Sequence, residues 1–122
     1  MKQLCVVNYV WGDYQQYIPI YLLFLGISYP EYDARIYINT NLEENVKKQL
    51  EFVKKTYSNF IIIENFKEEK YLSEEAKKYD VIMRCLRWLH FEDIFMDYEA
   101  IYIGDIDILI GKEEISIFEG HK

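Results

Sequence analysis

Hydrophobic positions along the chain fall into two kinds of pattern, short continuous runs and wider stripes. Leu4-Cys5-Val6-Val7-Asn8-Tyr9-Val10 is apolar, β-branched and too short for a helix, and it reads as a buried strand. Trp11-Gly12-Asp13 forms the loop after it. A helix then begins between Tyr14 and Tyr17 and runs to Ile27. Pro19 suits a first helical turn, where its missing N–H costs nothing. Ser28-Tyr29-Pro30 stops the helix. Because this helix is apolar nearly all round, it is expected to be sandwiched between a sheet and something else. No segment of the chain is an obvious cover for its outer face.

Asp33 to Asn39 reads as a second strand. Asn41, with Glu44 three residues later, resembles a capping box. The helix it opens carries Leu42, Val46, Leu50, Val53 and Tyr57 on one stripe, with Lys and Glu on its solvated back. Phe60-Ile61-Ile62-Ile63 is a third buried strand. A charged loop from Phe66 to Tyr71 leads to a third helix from Ser73 to His90, whose core stripe includes Ala76, Tyr79, Met83, Leu86 and His90. Ala100-Ile101-Tyr102-Ile103 is a fourth strand, followed by Gly104-Asp105-Ile106-Asp107 and a second short run, Ile108-Leu109-Ile110. The order is β-α-β-α-β-α-β. It predicts a three-layer α/β/α fold on a mostly parallel sheet with right-handed crossovers. In such sheets the ligand site lies outside the carboxyl ends of the strands, where strand order reverses. Residues 8–17, 39–41 and 104–107 are expected to converge there.

Composition narrows the function classes. The chain has 122 residues, a common size for one domain, with 51% hydrophobic and 17% aromatic residues, which excludes disorder. Fourteen Lys and Arg stand against 21 Asp and Glu, a net charge of −7. That balance argues against nucleic acid, where affinity comes from neutralising phosphates. Twelve tyrosines are the odd feature. The start has no signal-peptide pattern, and the greasy stretch from Ile18 to Ile27 is well short of the ~20 residues a bilayer requires. Cys5 and Cys85 lack any Cys-x-x-Cys or clustered His and read as reduced core residues. The expected location is the cytoplasm, with peripheral attachment at the inner face of the membrane compatible with it.

Asp105 and Asp107 are the sharpest chemical signal. In an extended segment both carboxylates face one way and Ile106 the other. Two carboxylates so close call for a cation between them, and hard oxygen ligands suit Mg²⁺ or Mn²⁺. The plainer reading is a Gly-Asp turn at a strand end, but burying two unpaired carboxylates in an Ile/Tyr/Leu run is expensive. Arg84 and Arg87 share a helical face. Asp80 is placed to pair with Arg84, whereas Arg87 is suited to hold an acidic residue or a phosphate through its planar fork. Tyr9, Trp11, Tyr14 and Tyr17 crowd the first loop and offer rings for stacking on a base, or simply line the loop. His90 reads as a core residue and His121 as part of a frayed end.

Tyr102-Ile103-Gly104-Asp105-Ile106-Asp107-Ile108-Leu109-Ile110 resembles the Asp-x-Asp segment of A-type-fold glycosyltransferases that use nucleotide-diphosphate sugars. The likeness is to bacterial enzymes of the glycogenin and lipooligosaccharide galactosyltransferase group. The opening is similar in layout, with an apolar strand, then Gly12-Asp13-Tyr14-Gln15-Gln16-Tyr17-Ile18-Pro19, then an apolar helix. The resemblance implies a nucleotide-diphospho-sugar transferase-like fold, with Asp105 and Asp107 holding Mn²⁺ or Mg²⁺ on the donor diphosphate. It implies that Tyr9 and Tyr17 contact the base, with Asn8 and Asp13 as hydrogen-bond partners and Arg87 as the Arg of the helix before the metal strand. Two departures stand out. The spacing from Asp13 to Tyr17 is one longer than the group's commonest form. Such catalytic domains also continue well beyond this motif, so residues 1–122 are expected to be the N-terminal, donor-binding half. A UDP-sugar donor and a glycan acceptor are the partners this implies.

Two other readings remain. A non-catalytic nucleotide-binding, metal-binding or interaction domain would use the carboxylates for a cation alone. A phosphatase of the haloacid dehalogenase type also carries Asp-x-Asp after an apolar strand, but normally on its first strand and with Thr or Val where this chain has Leu109. An uncovered first helix would favour a homodimer that hides it.

Overall fold

The computed structural model of the chain describes residues 2–66 and 92–107. Strand β1, Lys2–Val10, is followed by a 3-10 helix at Gly12–Tyr17 and helix α1 at Ile18–Ser28. Then come β2 at Asp33–Ile38, α2 at Glu44–Val53 and β3 at Phe60–Ile63. A second 3-10 helix at Asp93–Asp97 leads into β4, Tyr98–Ile103. The expected third helix, with Arg84, Cys85, Arg87 and His90, lies outside the described residues, as do Ile108-Leu109-Ile110 and His121.

The four described strands form one parallel sheet in the order β3-β2-β1-β4. Both α1 and α2 lie on one face of it. Their inward residues Ile18, Leu22, Leu25, Val46, Leu50 and Val53 pack on Leu4, Val6, Val10, Ala34, Ile36 and Ile38. Because side chains alternate along a strand, the intervening residues Cys5, Val7, Tyr9 and Tyr37 face the other way, and Phe95 of the second 3-10 helix packs on them. Full burial of a residue such as Leu22 or Ile36 contributes about 1.5–3 kcal/mol, so the double-sided central strand β1 is the main source of cohesion. This is an α/β architecture with a parallel sheet, and its helical layer is present on the α1–α2 face.

Three local details differ from the sequence reading, each for a tertiary reason. Helix α2 begins later than the Asn41–Glu44 pattern suggests, with Glu43 at its N-cap and no side-chain cap. The Asn41 side chain instead accepts from Asn65. Helix α2 also ends at Val53, and Tyr57 lies beyond it in a turn, where its hydroxyl donates to the carbonyls of Tyr32 and Asn59. Finally, exposure differs: Ile20, Phe24 and Ile27 of α1 are exposed, and β3, expected as a buried strand, is only half-buried with Ile61 exposed, because it is the edge strand among the described strands. None of the helices among the described residues is long and apolar enough to cross a membrane.

Candidate functional site

Strand order reverses between β1 and β4. From β1 the chain moves through α1 to β2 and through α2 to β3, while β4 lies on the opposite side of β1. In parallel α/β sheets ligand sites lie at such a point, outside the carboxyl ends of the two strands. Val7 is in register with Ile103, and the Gly104 N–H donates to the Val7 carbonyl at 3.1 Å, carrying the ladder one residue further. The chain then turns at Ile106 and Asp107. Ile106 is buried in the core on the α1–α2 face, while Asp105 and Asp107 on either side of it are exposed. Ile106 acts as an anchor: its burial holds the turn down and leaves both carboxylates outward.

Asn8 forms the floor beneath this turn. It is fully buried in β1 and its Nδ2 donates to the Gly104 carbonyl at 2.8 Å. A Cβ at Gly104 would lie 2.9 Å from the Tyr102 ring but only in ordinary contact, 3.7 Å, with Asn8 Nδ2. Tyr21 of α1 is also buried. Its hydroxyl and Asn8 Oδ1 complete no hydrogen bond of good geometry. Burial pushes the Tyr21 phenol well above its ordinary range; Asn8 partly offsets this, and the charges of Tyr102 and Asp105 add to it.

The β1–α1 loop supplies the rim. Gly12 adopts a left-handed backbone with φ of 53°, which only glycine takes without cost. Its N–H donates to Asn39 Oδ1 at 3.0 Å, and the Asn39 N–H in turn donates to the Val10 carbonyl. Gln15 is buried one turn further on. Its Oε1 accepts the Glu43 N–H at 2.7 Å, so the loop is pinned to the start of α2. Between these anchors Asp13, Tyr14 and Tyr17 are exposed, with the two tyrosine rings 5.8 Å apart.

The residues singled out in the sequence thus separate into three groups. Asp13, Tyr17, Asp105 and Asp107 present exposed side chains on the two loops that leave β1 and β4. Asn8 is in the floor, with its amide committed to Gly104. Tyr9 faces the other side of the sheet, where its ring stacks on Tyr37 at 5.2 Å and packs on Phe66. Arg87 lies outside the described residues. Tyr21, Gln15 and Asn39 are structural partners of the site that periodicity does not reveal. Asn8 was the one available signal, because a polar side chain inside a buried apolar run must find partners.

The donor set fits a hard cation only in part. Among the described residues no group of three or more His, Cys, Asp or Glu side chains is arranged to hold a metal ion. Two exposed carboxylates are what Mg²⁺ ordinarily takes from a protein when phosphate and water complete its shell. Two carboxylates alone would hold such a cation weakly. No family model matches the chain, and no curated protein matches it.

Proposed function

We propose that this chain is the donor-binding part of a metal-dependent glycosyltransferase, binding a nucleotide-diphosphate sugar, with a UDP-sugar favoured, for transfer to a glycan acceptor. One observation carries the reading: Asp105 and Asp107 stand outward on either side of buried Ile106, at the point where strand order reverses. In this reading the two carboxylates hold Mn²⁺ or Mg²⁺ on the donor diphosphate. A cation bound there supplies Lewis-acid stabilisation of the departing diphosphate. The chain's own share is placement. Asp13 accepts hydrogen bonds from the nucleoside, and the exposed Tyr17 ring offers a face to the base. Asn8 holds the Gly104 carbonyl, and Arg87 pairs with a phosphate or an acidic residue of the site. A net charge of −7 favours arrival of the cation before the diphosphate.

Calorimetric titration with UDP, GDP and CMP, with and without Mn²⁺, tests the proposal. UDP is expected to bind at least ~10-fold more tightly with Mn²⁺, a difference of about 1.4 kcal/mol. Asp105→Ala is expected to abolish that gain. Absence of nucleotide binding under every condition overturns the reading, and hydrolysis of a generic phosphomonoester would move it to a phosphatase.

A further inference from the structure

The β1–α1 loop carries Asp13, Tyr14 and Tyr17 exposed, and its 3-10 helix at Gly12–Tyr17 starts without a side-chain cap. Exposed side chains on so short a turn keep one arrangement only if the backbone beneath them is fixed. A loop that must first be ordered subtracts that cost from the affinity of whatever it binds. Here the backbone is fixed at two points, and the segment joining β2 to α2 supplies a partner at both. Asn39, the residue after β2, is the first clamp. Its N–H donates to the Val10 carbonyl at 3.3 Å and its Oδ1 accepts the Gly12 N–H at 3.0 Å. One residue thus holds the backbone on both sides of Trp11. The left-handed φ of 53° at Gly12 then sets the direction in which Asp13 to Tyr17 leave the clamp.

Gln15 is the second clamp. Its side chain is buried, Oε1 accepts the Glu43 N–H at 2.7 Å, and Nε2 reaches the Asn41 carbonyl at 3.5 Å. The Gln15 carbonyl in turn accepts the Ile18 N–H, which joins the 3-10 helix to α1. Asp13 lies between the two clamps, and Tyr17 follows the second by two residues. We propose that Asn39 and Gln15 are positioning residues for the nucleoside of the donor. They hold the loop in one conformation, so that Asp13 and the Tyr17 ring meet the base already ordered, and neither amide touches the nucleotide itself. This rests on the reading of the chain as a nucleotide-sugar-binding domain.

Calorimetric titration of UDP into the whole chain with Mn²⁺ present tests this, paired with thermal melting to show that each variant is folded at the titration temperature. Asn39→Ala is expected to weaken UDP roughly 3–10-fold, the span set by the loss of one hydrogen bond. Gly12→Ala is expected to act to a similar degree. A Cβ there meets open space, so the substitution disturbs only the backbone angle. The double variant should cost little more than either alone, since both release the same clamp. Asn39→Asp keeps an acceptor oxygen for the Gly12 N–H and is expected to restore the affinity. Gln15→Ala serves as the readout should Asn39→Ala fail to fold. Folded Asn39→Ala and Gln15→Ala that bind UDP as the wild type does overturn the positioning role and leave the nucleotide site standing. Loss in Asn39→Ala with wild-type affinity in Gly12→Ala makes Asn39 a direct contact and also overturns it. Wild-type protein that binds no UDP overturns both readings.

Discussion

Gly26 shows how much a single hydrogen atom decides in this fold. A Cβ built at Gly26 falls 2.2 Å from Cβ of Tyr57 and 2.5 Å from its ring. The first of these is an atom next to the backbone that cannot swing aside. Two effects of opposite sign meet at this position. Replacing Gly by Ala inside a helix ordinarily gains about 1 kcal/mol through propensity, while overpacking a core contact costs about 1–3 kcal/mol or more. Here the clash is the larger effect, because relief would require α1 to move away from the turn holding Tyr57, whose hydroxyl is tied to Tyr32 and Asn59. Gly26→Ala is therefore expected to destabilise the protein by about 1–3 kcal/mol in urea unfolding; a gain in stability would show that α1 can shift freely. The sequence marks Gly26 only as a small residue near the end of an apolar helix. Tyr57 lies 31 positions away, and no local pattern connects the two.

The β1–α1 loop is an element whose shape depends on partners in other elements. Gly12 is held by Asn39 at the end of β2, and Gln15 by the Glu43 N–H at the start of α2. Gln15 thus takes the part that a local capping residue would play for α2, which is why Asn41 and Glu44 do not form the expected box. Gln15→Ala is expected to cost about 0.5–1.5 kcal/mol, the usual net worth of one hydrogen bond. It should also speed hydrogen exchange at the Glu43 amide. Unchanged exchange there would mean that the loop and α2 are held independently. The four described strands, α1 and α2 were legible in the chain, because alternation and helical stripes are properties of neighbouring residues. The strand from Leu4 to Val10 and the stripe of Val46, Leu50 and Val53 are found where the periodicity puts them. The ends of α2 moved, where distant side chains supply the partners, and the two 3-10 helices carry no periodic signal that would have marked them.

Across the described residues the tyrosines are chiefly a structural feature. Tyr9, Tyr21, Tyr29, Tyr32, Tyr37 and Tyr57 are buried, joined in pairs such as Tyr9–Tyr37 and Tyr29–Tyr32. Burial pushes the Tyr37 phenol up from 10.0 to about 12, although its hydrogen bond from Arg35 pulls the other way. Burial also raises Tyr21 and Tyr57, and Tyr98 is raised by burial and by donating to the Asp33 carboxylate. A raised phenol contributes stability fully below the unfolded value of 10.0 and loses it as pH climbs to about 12. In that interval the unfolded chain has released protons that the folded chain retains, so stability falls. Far-UV ellipticity and tyrosinate absorbance are therefore expected to change together between pH 10 and 12. Ionisation of these buried tyrosines near pH 10 with the fold intact would contradict this.

The sequence by itself determined the order of the described strands and of α1 and α2, that the first run is buried on both faces, and that two carboxylates flank an isoleucine after the last of the described strands. Each of these follows from side-chain period and residue chemistry over a few neighbouring positions. Only the tertiary structure decided that β4 lies beside β1, because strand order depends on where each crossover lands and not on any local period. That one pairing sets the Asp105–Asp107 turn beside the carboxyl half of β1. It also brings Asn8, which reads in the chain as one polar residue in an apolar strand, under Gly104. Whether a tyrosine is a rim, a core or a floor residue was decided in the same way. Tyr17 and Tyr21 are four positions apart and alike in the sequence, yet one is exposed and the other is buried, because the side of α1 that carries Tyr21 packs on the sheet.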